Sequence, residues 1–158
     1  MNECDEKFMR RAIDLARRGM DANSGGPFGC VIVKDGKIVG EGNNQVTSSN
    51  DPTAHAEIVA IRSACAELGT FQLEGCSVYT SCEPCPMCLG AIYWARPENI
   101  YIAGNRNDAA EAGFDDEYIY TELDKPNDQR RMSMKTILRD EAVQLFAEWK
   151  AKADKTDY

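Results

Sequence analysis

Two apolar periods organise this chain. Phe8, Ala12, Leu15 and Ala16 recur at helical spacing between charged residues, and Gly19 follows as a stop, which predicts an amphipathic helix over 6–20. From Phe28 to Val33 the chain is almost continuously apolar. Lys34, Asp35 and Gly36 then make a turn, and a second run from Lys37 to Gly42 completes a β-hairpin. Gly25, Gly26 and Gly29 lack the spacing of a phosphate loop and read as points of close backbone packing. Asp51 and Pro52 supply a carboxylate cap and a first-turn proline, predicting a helix that continues through 54–68 with His55 and Glu57 in its first turn. A short strand is expected over 77–80. Pro84 then opens a third helix through Cys85, Cys88, Ala91 and Trp94, ended by Arg96 and Pro97, and 99–103 reads as another strand. After YIYTEL and a polar break over 124–130, Leu138, Ala142, Leu145, Phe146 and Trp149 share one face of a last helix, and that face must bury itself somewhere.

Strands alternating with helices predict an α/β sandwich with helices on both sides of a sheet. The 158 residues suit one domain over 1–158, and no internal repeat or low-complexity segment is visible. Hydrophobic residues at 43% and charged residues at 28% are ordinary for a globular protein, and no apolar run reaches the roughly 18 residues of a membrane span. The opening MNECDEKFMRRAIDLARRG lacks the apolar core of a secretory signal, so a cytoplasmic chain with seven reduced cysteines is expected. A net charge of −8 works against a polyanionic partner and favours a small neutral substrate over nucleic acid. Arg10, Arg11, Arg17 and Arg18, with Arg130 and Arg131, form local basic clusters that read first as solvated helix faces.

Candidate chemistry gathers at two helix starts. Cys85 and Cys88, three apart on one helix face, sit where the helix dipole favours negative charge and thus thiolates. His55, the single histidine, is the natural third soft ligand for a divalent transition metal such as zinc. Two cysteines and one histidine leave a fourth tetrahedral position for water, the mark of a catalytic rather than a structural zinc. Glu57, two residues after His55, is close enough to exchange protons with that water without ligating the metal. A closed site with Cys82 as third thiolate is the inorganic rival. A redox pair within CEPC is another, but it leaves HAE without a role.

The HAE and PCPMC elements resemble the zinc-dependent cytidine-deaminase-like superfamily, whose signature pairs HxE with PCxxC. The segments GGPFGCVIVKDG, TSSNDPTAHAEIVAIR, YTSCEPCPMCLGAIYWARP and DAAEAGFDD, with the terminal Tyr158, are similar to bacterial guanine deaminases over almost the whole chain. This resemblance implies a three-layer α/β/α fold with a mixed sheet, one Zn2+ per chain on His55, Cys85 and Cys88, and hydrolysis of guanine to xanthine and ammonia. Glu57 is the implied proton carrier. Asn44, Ala56 and Asp116 are the implied contacts to the purine base, with Tyr158, and Phe28 and Trp94 are candidates for an aromatic wall. A homodimer is also implied, with the helical segment 130–158 exchanged so that Tyr158 reaches the partner's site. The alternatives are a guanosine, cytosine or transfer-RNA adenosine deaminase of the same superfamily and, outside enzymes, a zinc-stabilised binding module. Cys4, Cys30, Cys65 and Cys76 have no ligand spacing to His55 and are expected to be small packed or partly exposed thiols.

Overall fold

The computed structural model describes residues 3–158, so Cys4 contributes backbone only and its thiol lies outside the described side chains. In chain order the elements are α1 (Glu3–Asp21), β1 (Gly29–Lys34), β2 (Lys37–Asn43), α2 (Val46–Ser49), α3 (Ala56–Leu68), β3 (Cys76–Cys82), α4 (Pro86–Ala95), β4 (Asn99–Gly104), α5 (Arg106–Glu111), α6 (Glu117–Leu123), a 3-10 turn (Asn127–Gln129) and α7 (Arg139–Ala151). Residues up to Asp116 form one compact unit and 117–158 another. Among the described residues, no helix is long and apolar enough to cross a membrane.

The first unit is built on a four-stranded sheet in the order β2-β1-β3-β4. β1 runs antiparallel to β2 and to β3, whereas β3 and β4 are parallel and joined through α4. The continuous apolar run of β1 follows from its central place, since successive side chains serve opposite faces and both faces are covered. Cys30 and Ile32 join Val78, Ala56, Ala60, Ala64 and Ile92 on the side of α3 and α4. Val31 and Val33 join Tyr79, Phe8 and Ala12 on the side of α1. The result is the expected three-layer α/β/α sandwich on a mixed sheet.

Close packing requires glycine at two points. A Cβ on Gly29 would stand 2.1 Å from the Ala12 carbonyl oxygen, so α1 lies directly on β1 only because that position is bare. A Cβ on Gly42 would stand 2.4 Å from the Ala56 carbonyl oxygen, and the start of α3 rests on β2 for the same reason. The hairpin turn at Asp35 and Gly36 has positive φ at both residues (49° and 72°), the geometry of a two-residue type I′ turn.

The structure corrects three element boundaries. The second helix begins at Ala56, not at Pro52, because Asp51 uses its carboxylate in a local turn, accepting from the Thr53 amide at 2.8 Å and the Thr53 hydroxyl at 2.7 Å. The third helix is opened by Pro86, not Pro84, and Cys85 is its N-cap. β3 runs on to Cys82, beyond the expected end at Thr80.

Within the arginine clusters, Arg10 and Arg18 are solvated on α1 and pair with Glu6 and Asp14, and Arg11 bridges Glu41 and Asp14. In the second unit Arg130 donates to the carbonyls of Glu122, Lys125 and Leu123, closing the C-terminal end of α6. That unit also carries α7, whose shared face stays exposed within the chain, with Phe146 at 72% and Leu145 at 64%.

Candidate active site and metal centre

The N-termini of α3 and α4 meet beyond the C-terminal end of β3. His55 is the N-cap of α3 (φ −69°, ψ 158°) and Cys85 the N-cap of α4 (φ −64°, ψ 167°). Neither residue type is a usual cap, and neither side chain caps its own helix. Extended backbone at both caps leaves the two side chains free to turn toward each other. Cys88 reaches the same point from within the first turn of α4, fully buried. Two helix dipoles thus direct their positive ends at the space where thiolate charge collects.

His55 Nδ1 lies 3.6 Å from Cys85 Sγ and 3.5 Å from Cys88 Sγ. All three donor atoms fall within 4.8 Å of one another, and they are the one such cluster among the described residues. With Zn–N near 2.0 Å and Zn–S near 2.3 Å, nitrogen and sulfur at two corners of a tetrahedron are about 3.5 Å apart. The observed separations are those of a tetrahedral edge, so the donor set fits zinc in chemistry and in spacing.

Of the two thiols, Cys85 is already disposed as a thiolate ligand. A hydrogen bond from Cys88, aided by His55, holds the Cys85 thiol down to about 4, against the opposing cost of burial. The same hydrogen bond pushes Cys88 up, as do burial and the charge of Glu57. The hydrogen bond with Cys85 also raises His55 above the ordinary imidazole range. The Cys85 thiolate is thus held by a Cys88 thiol that keeps its proton, and a bound cation would supply the charge that lets both sulfurs be thiolates.

Glu57 stands in the first turn of α3 and is only 6% exposed. The Thr80 hydroxyl of β3 donates to its Oε1 at 2.8 Å. Cys82 ends β3 and lines the same space, but its Sγ donates to the Asn105 carbonyl at 3.5 Å and it is outside the donor cluster. Burial and the nearby Glu57 charge hold its thiol up, so it is a poor candidate for a third thiolate.

His55, Glu57, Cys82 and Cys85 line a cavity of about 370 Å³. Asn44, just after β2, is buried there, and its Oδ1 accepts from the backbone amides of Gly26 (3.3 Å) and Val46 (3.2 Å). Its carbonyl end is taken by the backbone, so the hydrogen-bearing end is the one left for a ligand. Asp116 also lines the cavity with Asp115, and burial together with the Cys85 charge raises its carboxyl above the usual range. Phe28 lines the cavity edge-to-face against Phe114, ring centroids 4.9 Å apart.

Other expected residues fall elsewhere. Ala56 is fully buried, with its methyl in the core between α3 and the sheet, so only its backbone is at hand for a ligand. Trp94 is 66% exposed and does not line this cavity. It follows Cys85 by nine residues, which on a helix is two and a half turns and places it on the opposite face. Tyr158 belongs to the second unit and is exposed.

Sequence reasoning passed over Phe114, Arg106, Thr47 and Thr80. Phe114 was signalled by its place beside the acidic pair in GFDD, but only the turn at Gly113, with φ 93°, brings it against Phe28.

Residues 2–104 match the family described as the cytidine and deoxycytidylate deaminase zinc-binding region. The guanine deaminase of Bacillus subtilis is 56% identical over 97% of this chain and 98% of its own length. The X-ray structure of guanine deaminase from Bacillus subtilis superposes with a TM-score of 0.95, covering 100% of this chain and 99% of that one. A transfer-RNA-specific adenosine deaminase of Aquifex aeolicus is 35% identical over 91% of this chain and 92% of that protein.

Proposed function

The chain belongs to the cytidine and deoxycytidylate deaminase zinc-binding family, and from this premise we propose that it hydrolyses guanine to xanthine and ammonia. One observation carries the reading: donors spaced for tetrahedral zinc and a buried carboxylate share one cavity, with a fixed amide and an acid to hold a planar base.

His55, Cys85 and Cys88 hold the metal. When bound, zinc acts as a Lewis acid that brings the pKa of water to about 7. Glu57 would take one proton from the attacking water as its oxygen bonds to the ring carbon bearing the exocyclic amine, and would deliver that proton to the adjacent ring nitrogen. It would then take the second proton from the added hydroxyl and pass it to the amine, so that the C–N bond breaks, ammonia leaves and a carbonyl remains. Asn44 donates from its amide nitrogen to a base acceptor, and Asp116 accepts from base N–H groups. Phe28 and Phe114 form an apolar wall beside the flat ring. Three things support this assignment: the buried amide, the acid whose own charge is disfavoured by burial, and the aromatic pair.

We also propose a cytoplasmic homodimer in which the C-terminal segment is exchanged and Tyr158 completes the partner's site. The exposed apolar face of α7 supports it, since Leu145, Phe146 and Trp149 need a covering surface. Sedimentation should give a mass of two chains. Removing the last residues should spare zinc and impair turnover, and mixing that truncation with Glu57→Gln should restore activity in verified mixed dimers. No recovery in such dimers counts against the exchange.

The decisive assay measures ammonia from guanine, guanosine, adenine, cytosine and transfer RNA supplied separately. Guanine should be the substrate, and release from another substrate but not from guanine overturns the assignment. Glu57→Gln should keep one zinc per chain and lose nearly all turnover. Comparable turnover in that variant removes Glu57 from the chemistry.

A further inference from the structure

We propose that Thr80 is a positioning residue: its hydroxyl fixes which oxygen of Glu57 is held by the protein and which is left to move protons. The Thr80 side chain is 1% exposed and donates to Glu57 Oε1 at 2.8 Å. The sheet supplies the aim. Thr80 pairs with Cys30 of β1, and strand alternation puts Val78, Thr80 and Cys82 on the α3 and α4 side, where Glu57 lies.

Burying a carboxylate without a partner is costly, and a hydroxyl is an economical partner because it donates one hydrogen bond without adding charge. The donation also breaks the symmetry of the carboxylate. Oε1 is tied to the sheet whether or not Glu57 carries a proton, so Oε2 is the oxygen free to collect a proton from water and release it to the base. The carboxylate then need not rotate between steps. A strand threonine has few χ1 choices, so this donor is held with little slack. A freely turning carboxylate would spend much of its time misdirected, and small misplacements of reacting groups can cost about a hundredfold in rate.

This inference rests on the deaminase reading, and the two fail differently. If Glu57→Gln retains turnover, the deaminase role of Glu57 fails whatever Thr80 does. If Glu57→Gln is inactive while Thr80→Val is unimpaired, only the positioning role fails.

The test uses the full-length zinc-loaded protein. Thr80→Val keeps the shape and removes the donor. It should retain one zinc per chain and bind xanthine, measured by calorimetry, within about threefold of the parent. Its KM should change little, while kcat should fall roughly tenfold to a hundredfold. Thr80→Ser, which restores the hydroxyl, should recover most of kcat. If Thr80→Val is insoluble, Thr80→Ser and Thr80→Cys replace it, since they differ only in oxygen against the weaker donor sulfur. Serine well above cysteine in kcat at equal zinc content supports the proposal. A kcat for Thr80→Val within twofold of the parent, or equal kcat for the serine and cysteine variants, overturns it.

Discussion

Adding one methyl group at Gly42 should loosen the fold and disable the site together. The new Cβ would lie 2.4 Å from the Ala56 carbonyl oxygen, 2.7 Å from the Ala60 amide nitrogen and 2.9 Å from Val59 Cβ. An ordinary carbon–oxygen contact is about 3.3 Å or more, so relief requires a separation of roughly 1 Å between β2 and the first turns of α3. The obstructing atoms are mainly backbone, so no side chain can swing aside. Overpacking of this kind costs about 1–3 kcal/mol, and for a chain of this size each kcal/mol lowers Tm by roughly 2–4 °C. The same shift carries His55 and Glu57, which begin α3, away from Cys85 and Cys88 on α4. Displacing reacting groups by about 1 Å can cost about a hundredfold in rate. Gly42→Ala should therefore lower both Tm and kcat. Gly90→Ala is the contrast, because a Cβ there meets nothing within 4 Å and the position is inside α4. It should stabilise by about 0.5–1 kcal/mol through helix propensity. Thermal unfolding and steady-state ammonia release on zinc-loaded protein decide the matter. A Gly42→Ala protein with the parent's Tm and kcat refutes the claim that this contact sets the position of α3.

Cys85→Ser or Cys88→Ser should lose zinc and turnover, whereas Cys82→Ser should keep both; metal analysis of the purified variants separates the two groups, and zinc loss in the Cys82 variant would bring that thiol into the site. Without metal, Cys88 is pushed well above the ordinary thiol range and keeps its proton, while Cys85 at about 4 has already given its proton up at neutral pH and its thiolate raises His55. Zinc uptake near pH 7 should then release about one to two protons and weaken as pH falls; calorimetry in buffers of different ionisation enthalpy reads this directly, and uptake without proton release contradicts it. Arg11 holds the Glu41 carboxyl below its ordinary value of 4.5 by a hydrogen bond. A depressed carboxylate stabilises the fold above its unfolded value and loses that contribution as pH falls through the folded one. Arg11→Gln should therefore cost about 0.5–1 kcal/mol at pH 7, a partly exposed and screened pair, and the deficit should close in acid. An equal deficit at pH 7 and in strong acid would assign the effect to packing.

The local code carried far. The spacing of Phe8, Ala12 and Ala16 gave the first helix, the apolar run with Asp35 and Gly36 gave the hairpin, and HAE with PCPMC named three side chains spaced to hold a metal. These were legible because periodicity, turn chemistry and ligand type depend on neighbours in the chain. The helix starts were misplaced because capping chemistry is shared. Asp51 looked like a cap but closes a turn, and the true caps, His55 and Cys85, are residues whose side chains turn to each other instead of to the helix.

What the sequence by itself determined was the set of donors, the order of elements and the apolar faces. Only the tertiary structure decided that Thr80 meets Glu57 and that Phe28 meets Phe114. The first depends on the register of β3 against β1 and on the seat of α3, the second on the turn at Gly113. Each joins residues far apart in the chain, and a contact of that kind is fixed by packing distance and not by spacing along the sequence.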